Sequence, residues 1–320
     1  MEITLFIPDL VSLCADSAIQ QRLPALEILF ARARTQAVLD NNAILAEIFG
    51  IRAEEFFVAP FMRLADTRQR DRGFYFRADP VHLAPDRDQL VMLPLQMLQV
   101  QTEEAGALAE TFNRTYEADG YLLETPEPER WYLRCPAPLS CMTHAPARVT
   151  AQPVFDFMPA GKDGTRLRQL MNEVQMLFYE HPVNQVREAA GKPAINSLWF
   201  WGGGCLPETP VKGPEKVVTN IPLVTGLTWF NGSRCGSWPA QLDFSADTGK
   251  TLIGINLAME MEVTRLEEQL AVPLLRGLRQ GDISEVIAYP GNGYSYGVVP
   301  SGLRQFWRRR RPLSEILQAS

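Results

Sequence analysis

From Glu2 to Ile7 polar and apolar residues alternate and then give way to an unbroken apolar run, which predicts a first strand with Pro8 and Asp9 at its C-terminal end. Pro24 suits the first turn of a helix that turns Leu26, Leu29 and Phe30 inward. Thr35 to Leu39 reads as a short strand, and Ala43 to Phe49 as a helix stopped by Gly50. A β-α-β-α order predicts a parallel sheet, and places Asp9 at the strand ends where α/β proteins bind ligands.

The pattern changes near Asp66. TRQRDRG is a charged loop, FYFRADPVHL a strand interrupted by Pro80, and LVMLPLQML an apolar run before a helix from about Thr102 to Asp119 that Gly120 stops. YLLET and RWYLRC read as two further strands, and the proline-rich stretch from Pro126 to Pro159 disfavours long regular elements. Gly164 to Glu180 is an amphipathic helix, with Leu167, Leu170, Met171, Val174, Leu177 and Phe178 at three- and four-residue steps. Then come an apolar strand from Ile195 to Trp201, strand and helix patterns in VVTN and IPLVTGLTWFNG, a buried strand LIGINL and a helix from Ala258 to Gln280. The strands SEVIAYP and YSYGVVP follow, joined through Gly291-Asn292-Gly293 as a hairpin. The expected fold class is α/β: a mostly parallel central sheet with helices on both faces, built from residues 1–67 and 161–320, with an inserted β-rich α+β subdomain at 68–160.

Composition narrows the function classes. With 46% hydrophobic and 21% charged residues, the 320-residue chain has the makeup of a globular protein. A net charge of −6 argues against general nucleic-acid or anionic-membrane binding, which draws its affinity from neutralising phosphates. MEITLFIPDL has no basic n-region and too short an apolar run for a signal peptide or membrane span, so a cytoplasmic location is expected. Five scattered cysteines with no Cys-x-x-Cys pair imply neither a disulfide framework nor a zinc knuckle. Cys135, Cys141 and His144 lack a nearby fourth ligand and are set aside as a metal site.

Candidate chemistry gathers around HPVNQVREAAGKPAINSLWFWGGGCLPETP, residues 181–210. Three glycines after a buried strand, Gly202, Gly203 and Gly204, can take positive φ and turn backbone N–H groups toward an anion; the alternative is a tight turn. Neither Lys nor Ser/Thr follows them, so this is no Walker loop. Arg77, Asp79 and His82 facing Asn184, Arg187, Asn196 and these glycines would make a pocket for a small phosphorylated or carboxylated ligand. The competing reading pairs Arg77 with Asp79 and makes the histidines structural. At the C-terminal end, LRQFWRRRRPL offers Phe306, Trp307, Arg308 and Arg309 either as a solvated tail or as a protein-partner site.

RADPVHL, RWYLR, HPVN with NSLWFWGGG, and the closing FWRRRRPL together resemble the bacterial RpfE-type regulatory family over most of the chain. More distantly, the order of elements resembles the archaeal-type cofactor-independent phosphoglycerate mutases of the alkaline phosphatase superfamily: a first strand ending in Asp, an Ala- and Leu-rich helix running into Gly, an Arg-Ala-Asp strand entering an insert, and an Asn strand ending in a Trp-Gly loop. That resemblance implies a Ser or Thr nucleophile and two metal ions held by Asp and His. Asp9 matches the first ligand position. Asn42 stands where the nucleophile belongs, Gly291-Asn292-Gly293 replaces the expected Asp-His pair, and the histidines His82, His144 and His181 all precede the C-terminal region that should supply ligands.

Three functions follow. The favoured one is a non-catalytic regulatory or ligand-sensing relative of the mutases, without metal or cofactor and with Asp9, Asn42 and Asn292 as vestigial positions. The second is an active phosphoryl-transfer enzyme with a reduced metal site of Asp9 and residues such as Asp243, Asp247, Glu260 or Glu262. The third is a partner-binding scaffold.

Overall fold

A computed structural model describes residues 1–15, 22–38, 40–87, 89–150, 152–210, 212–238, 249–257, 263–305, 307–308 and 310–318. The strands, in chain order, are β1 (Glu2–Phe6), β2 (Arg34–Ala37), β3 (Phe74–Val81), β4 (Leu83–Asp86), β5 (Gln89–Met92), β6 (Leu122–Glu127), β7 (Arg130–Cys135), β8 (Ser197–Gly204), β9 (Lys216–Thr219), β10 (Arg234–Ser237), β11 (Lys250–Gly254), β12 (Glu285–Tyr289) and β13 (Tyr294–Val298). The helices used below are α1 (Leu10–Ala15), α2 (Pro24–Ala31), α3 (Asn41–Ile48), α4 (Val58–Thr67), α5 (Thr102–Tyr116), α6 (Gly164–Tyr179), α7 (Pro182–Ala189), α8 (Pro222–Asn231), α9 (Val272–Gln280) and α10 (Leu313–Gln318). Among the described residues no helix is long and apolar enough to cross a membrane.

The chain divides into two units, residues 1–56 with 209–320, and residues 57–208. The first holds a seven-stranded sheet ordered β10-β9-β11-β1-β12-β13-β2. β10, β9, β11, β1 and β12 run parallel, and β13 is antiparallel to both its neighbours, so β2 points the same way as β1. This is the mixed α/β, mostly parallel architecture expected from the sequence. Alternation sorts the sheet: Ile3, Leu5, Ile253, Val286, Tyr296 and Val298 pack with α2, α9 and α10 in one core.

The second unit holds an antiparallel sheet ordered β6-β7-β3-β8 and the hairpin β4-β5. Its core joins Phe76, Trp131, Leu133 and Phe200 of the sheet to Phe112 of α5 and Val174 and Phe178 of α6. The boundaries therefore differ from the expected insert of 68–160: α4, α6, α7 and β8 all belong to this unit. β8 is the chief correction, because an apolar run buried on both faces reads the same in a parallel sheet and at the side of an antiparallel one. Here it lies antiparallel to β3, with Trp199 opposite Asp79 and Ser197 opposite Val81. Pro80 does not break β3. β7 pairs only with Phe74–Arg77, so Pro80 lies beyond its reach and needs no N–H toward that side.

Candidate functional site

The parallel strands of the first unit deliver their C-terminal ends to one edge, and β2 brings Asn41 and Asn42 of α3 to the same edge. Asp9 follows β1 and is half-buried; burial raises its carboxyl pKa above the ordinary 3.8. Gly291 has φ +89° and lies so close to the chain before Asp9 that a Cβ there would stand 2.0 Å from the Pro8 carbonyl oxygen. Asn292 is fully engaged: its Nδ2 donates to Tyr296 Oη (2.8 Å) and Leu317 O (2.9 Å), and its Oδ1 accepts from Tyr294 N (3.2 Å). Asn220 and Asn256 lock β9 to β11, with Asn220 Nδ2 donating to Asn256 O (2.9 Å) and Asn256 N to Asn220 Oδ1 (2.7 Å). Asp40 caps α3 by accepting from Asn42 N (2.9 Å) and Ala43 N (3.1 Å), while Asn42 itself is exposed. Asp9, Asn42, Asn220, Asn256 and Asn292 thus all follow strand ends at this edge. Asn220 and Asn256 are not among the residues expected at a site; the signal for them is an Asn just past each of two buried strands, in VVTN and LIGIN.

Burial gives Asp9 a testable sign. Because its folded pKa is raised, the ionised carboxylate opposes folding at neutral pH, and the penalty vanishes once pH falls below 3.8, where folded and unfolded chains are both protonated. Asp9→Asn is therefore expected to raise the melting temperature at pH 7 and to bring no gain at pH 3. A loss of stability at pH 7 would contradict this assignment.

The residues predicted to form a pocket all lie in the second unit, where most are consumed by the fold. Arg77 and Asp79, two apart on one face of β3, are both buried. Arg77 Nε donates to Asp79 Oδ1 (2.9 Å), Nη2 also reaches that oxygen, and Trp201 Nε1 donates to Asp79 Oδ2 (2.7 Å). Arg77 Nη1 approaches Tyr132 Oη at 3.3 Å, whose proton goes to Asp66 of α4. Arg187, fully buried, donates to Pro193 O (2.9 Å), Glu104 Oε2 (2.6 Å) and Leu98 O (2.5 Å). Asn184 brackets Ile195, accepting from its N (2.8 Å) and donating to its O (2.9 Å). Asn196 does the same to Leu83, at 2.8 Å to N and 2.9 Å to O, and so acts as a side-chain substitute for a strand partner. His82 Nδ1 lies 2.7 Å from Ala194 O. His181 caps α7: its Nδ1 accepts from Val183 N (3.2 Å), which leaves the proton on Nε2 for Thr111 Oγ1 (3.0 Å), and burial lowers its pKa.

The glycines form no anion nest. They are the last residues of β8, and only Gly202 has positive φ (+64°). A Cβ on Gly203 would lie 2.1 Å from the Phe76 ring, and one on Gly204 2.0 Å from the Phe57 ring. Aromatic rings fill the space a ligand would need, so these glycines admit close packing where the β3–β8 register shifts between Tyr75 and Arg77.

Burial pushes the Cys135 thiol up to about 12 and that of Cys141 to about 11, away from thiolate chemistry. Among the described residues no three His, Cys, Asp or Glu side chains gather as a metal site. Asp243, Asp247, Glu260, Glu262, Phe306 and Arg309 lie outside the described residues. In the C-terminal tail Trp307 is exposed, and Arg308 Nη1 donates to Ala33 O (2.6 Å).

No family model matches the chain. A probable 2,3-bisphosphoglycerate-independent phosphoglycerate mutase of Geobacter sulfurreducens is 30% identical over 159 residues, covering 48% of this chain and 40% of that protein. The 2,3-bisphosphoglycerate-independent phosphoglycerate mutase of Methanothrix thermoacetophila is 31% identical over 111 residues, 32% of this chain and 26% of that protein. The chain thus spans less than half the length of the curated relatives it matches, and is distantly homologous to phosphoglycerate mutases over that part. Among solved structures, the cofactor-independent phosphoglycerate mutase of Thermoplasma acidophilum aligns with 98% of this chain and 94% of its own at 13% identity and a TM-score of 0.46. The PH0037 protein of Pyrococcus horikoshii covers 90% of this chain and 80% of its own at 14% identity and a TM-score of 0.47.

Proposed function

We propose that this chain is a non-catalytic relative of the cofactor-independent phosphoglycerate mutases, of the alkaline phosphatase superfamily, with a regulatory or ligand-sensing role toward a small phosphorylated or carboxylated molecule. The observation that carries this reading is the chemistry of the sheet edge. Phosphoryl transfer through the enzyme needs an oxygen nucleophile and charged ligands for metal. At the positions that the mutase resemblance implies stand Asn42, whose amide is no phosphate acceptor, and Asn292, whose amide is spent on Tyr296 and Leu317. His82, His144 and His181 all lie in the other unit. The regulatory part of the proposal rests on the RpfE-type sequence resemblance.

Among the described residues Asp9 favours the second reading, an active mutase with a reduced metal site; Asp243, Asp247, Glu260 and Glu262 lie outside them. One experiment separates the two. Purified chain incubated with 3-phosphoglycerate and Mn²⁺, followed by ³¹P NMR, is expected to form no 2-phosphoglycerate above the protein-free control. Turnover that disappears in Asp9→Ala would replace the non-catalytic reading with the enzymatic one.

A further inference from the structure

At the opposite end of the strands from Asp9, the first unit contains a cavity of about 470 Å³, within the size range of small-molecule sites. Its floor is the sheet face turned away from the α2 core. Ile287 of β12 and Ser295 and Gly297 of β13 line it there, while Val286, Tyr296 and Val298 point into the core on the other side. Its walls carry Arg32, from the end of α2, Arg34, which opens β2, and Glu285, which opens β12.

Three features set this cavity apart from a solvated surface dip. Arg32 is anchored through Nη1 to Leu303 O, yet its Nε is buried with no hydrogen-bond partner. A buried cationic donor is left unpaired only at a cost, so the wall that Arg32 contributes is short of an acceptor. Arg34 and Glu285 form no ion pair among the described residues, although both stand at the same cavity. Gly297 has no positive φ, and a Cβ built on it meets nothing closer than Glu285 Oε1 at 3.7 Å. Its backbone therefore does not require glycine; the missing side chain opens the floor.

We propose that this cavity binds a small carboxylate or phosphate monoester that also carries hydroxyl or ammonium donors. The two guanidinium groups supply planar forks for the anionic end. Glu285, with the Ser295 and Ser301 hydroxyls, accepts from the donors at the other end, and its charge disfavours a bare polyanion. The site is distinct from the Asp9 edge and does not depend on whether the chain transfers phosphate.

The test is thermal melting and calorimetric titration of the full chain with 3-phosphoglycerate, L-malate and L-serine, with inorganic phosphate as the donor-poor probe. At least one of the first three is expected to bind with at least tenfold higher affinity than phosphate. Arg34→Ala, at an exposed position, and Gly297→Leu, which fills the floor, are each expected to weaken that binding at least tenfold, and Asp9→Asn to leave it unchanged. Arg34→Ala retaining the melting temperature of the parent chain keeps the result readable should Gly297→Leu fold poorly. Absence of binding by all three donor-bearing probes, or binding unaffected by Arg34→Ala, overturns the proposal. Binding lost in Asp9→Asn and kept in Arg34→Ala would assign the ligand to the other edge and overturn it equally.

Discussion

Asp79→Ala is expected to cost the second unit about 3–5 kcal/mol, because it strips the partner from a buried guanidinium. Arg77 and Asp79 expose only 4% and 3% of their side chains, so water cannot take over for the lost carboxylate. Trp201 Nε1 loses its acceptor in the same step. Replacing both members, as Arg77→Met with Asp79→Leu, is expected to recover much of the loss, since well-packed apolar groups need no ion partner. Asp66→Ala should cost less: Arg130 is 27% exposed and can turn toward solvent, and Tyr132 Oη, which loses Asp66 as its acceptor, keeps the hydrogen bond it receives from Arg77. Denaturant unfolding followed by tryptophan fluorescence in the single and double variants reads these differences. Were Arg77 held for a ligand rather than for the fold, Asp79→Ala would leave the ligand-free chain nearly as stable as the parent, and a loss under about 1 kcal/mol would refute the structural assignment.

This pair also shows where the sequence was informative. An Arg and an Asp two apart in a strand share a face whatever the sheet, so their pairing was legible from RAD alone. What could not be read was that Tyr132, Asp66 and Trp201 arrive from β7, α4 and β8 to close the network, since those meetings depend on long-range pairing. The parallel core of the first unit followed from alternation in ITLFI and the apolar run in LIGINL, patterns set by a half-buried or fully buried strand. β8 was misplaced for the same reason that made it visible, because its apolar run reports burial on two faces and says nothing about direction. The glycines after it were visible as a site of backbone freedom. Only the rings of Phe57 and Phe76, each far off in sequence, decide that the freedom serves packing. Conversely, Arg32, Arg34 and Glu285 drew no attention as isolated charges. They become a cavity through β2 pairing with β13 across some 260 intervening residues.

The hairpin joining β12 to β13 provides the sharpest internal comparison. Gly291 and Gly293 both sit in the left-handed region, at φ +89° and +81°. Any side chain pays for that conformation, about 1–2 kcal/mol for alanine. At Gly293 nothing lies within 4 Å of an added Cβ, so Gly293→Ala should lose only that strain. At Gly291 the Cβ would fall 2.0 Å from Pro8 O and 2.9 Å from its carbonyl carbon, backbone atoms that no rotamer change can move aside. The Pro8–Asp9 turn is itself tied down on one side by Ile7 N donating to Tyr289 O (3.0 Å). Gly291→Ala is therefore expected to cost about 3 kcal/mol or more, strain plus the displacement of a packed strand end, within the range known for overpacking. Because the displaced backbone carries Asp9, the pH dependence of stability assigned to that carboxylate should also change in Gly291→Ala and stay as in the parent chain in Gly293→Ala. Equal losses in the two alanine variants would show that the sheet edge yields freely around Asp9, and that its close approach to the hairpin does not hold that residue in place.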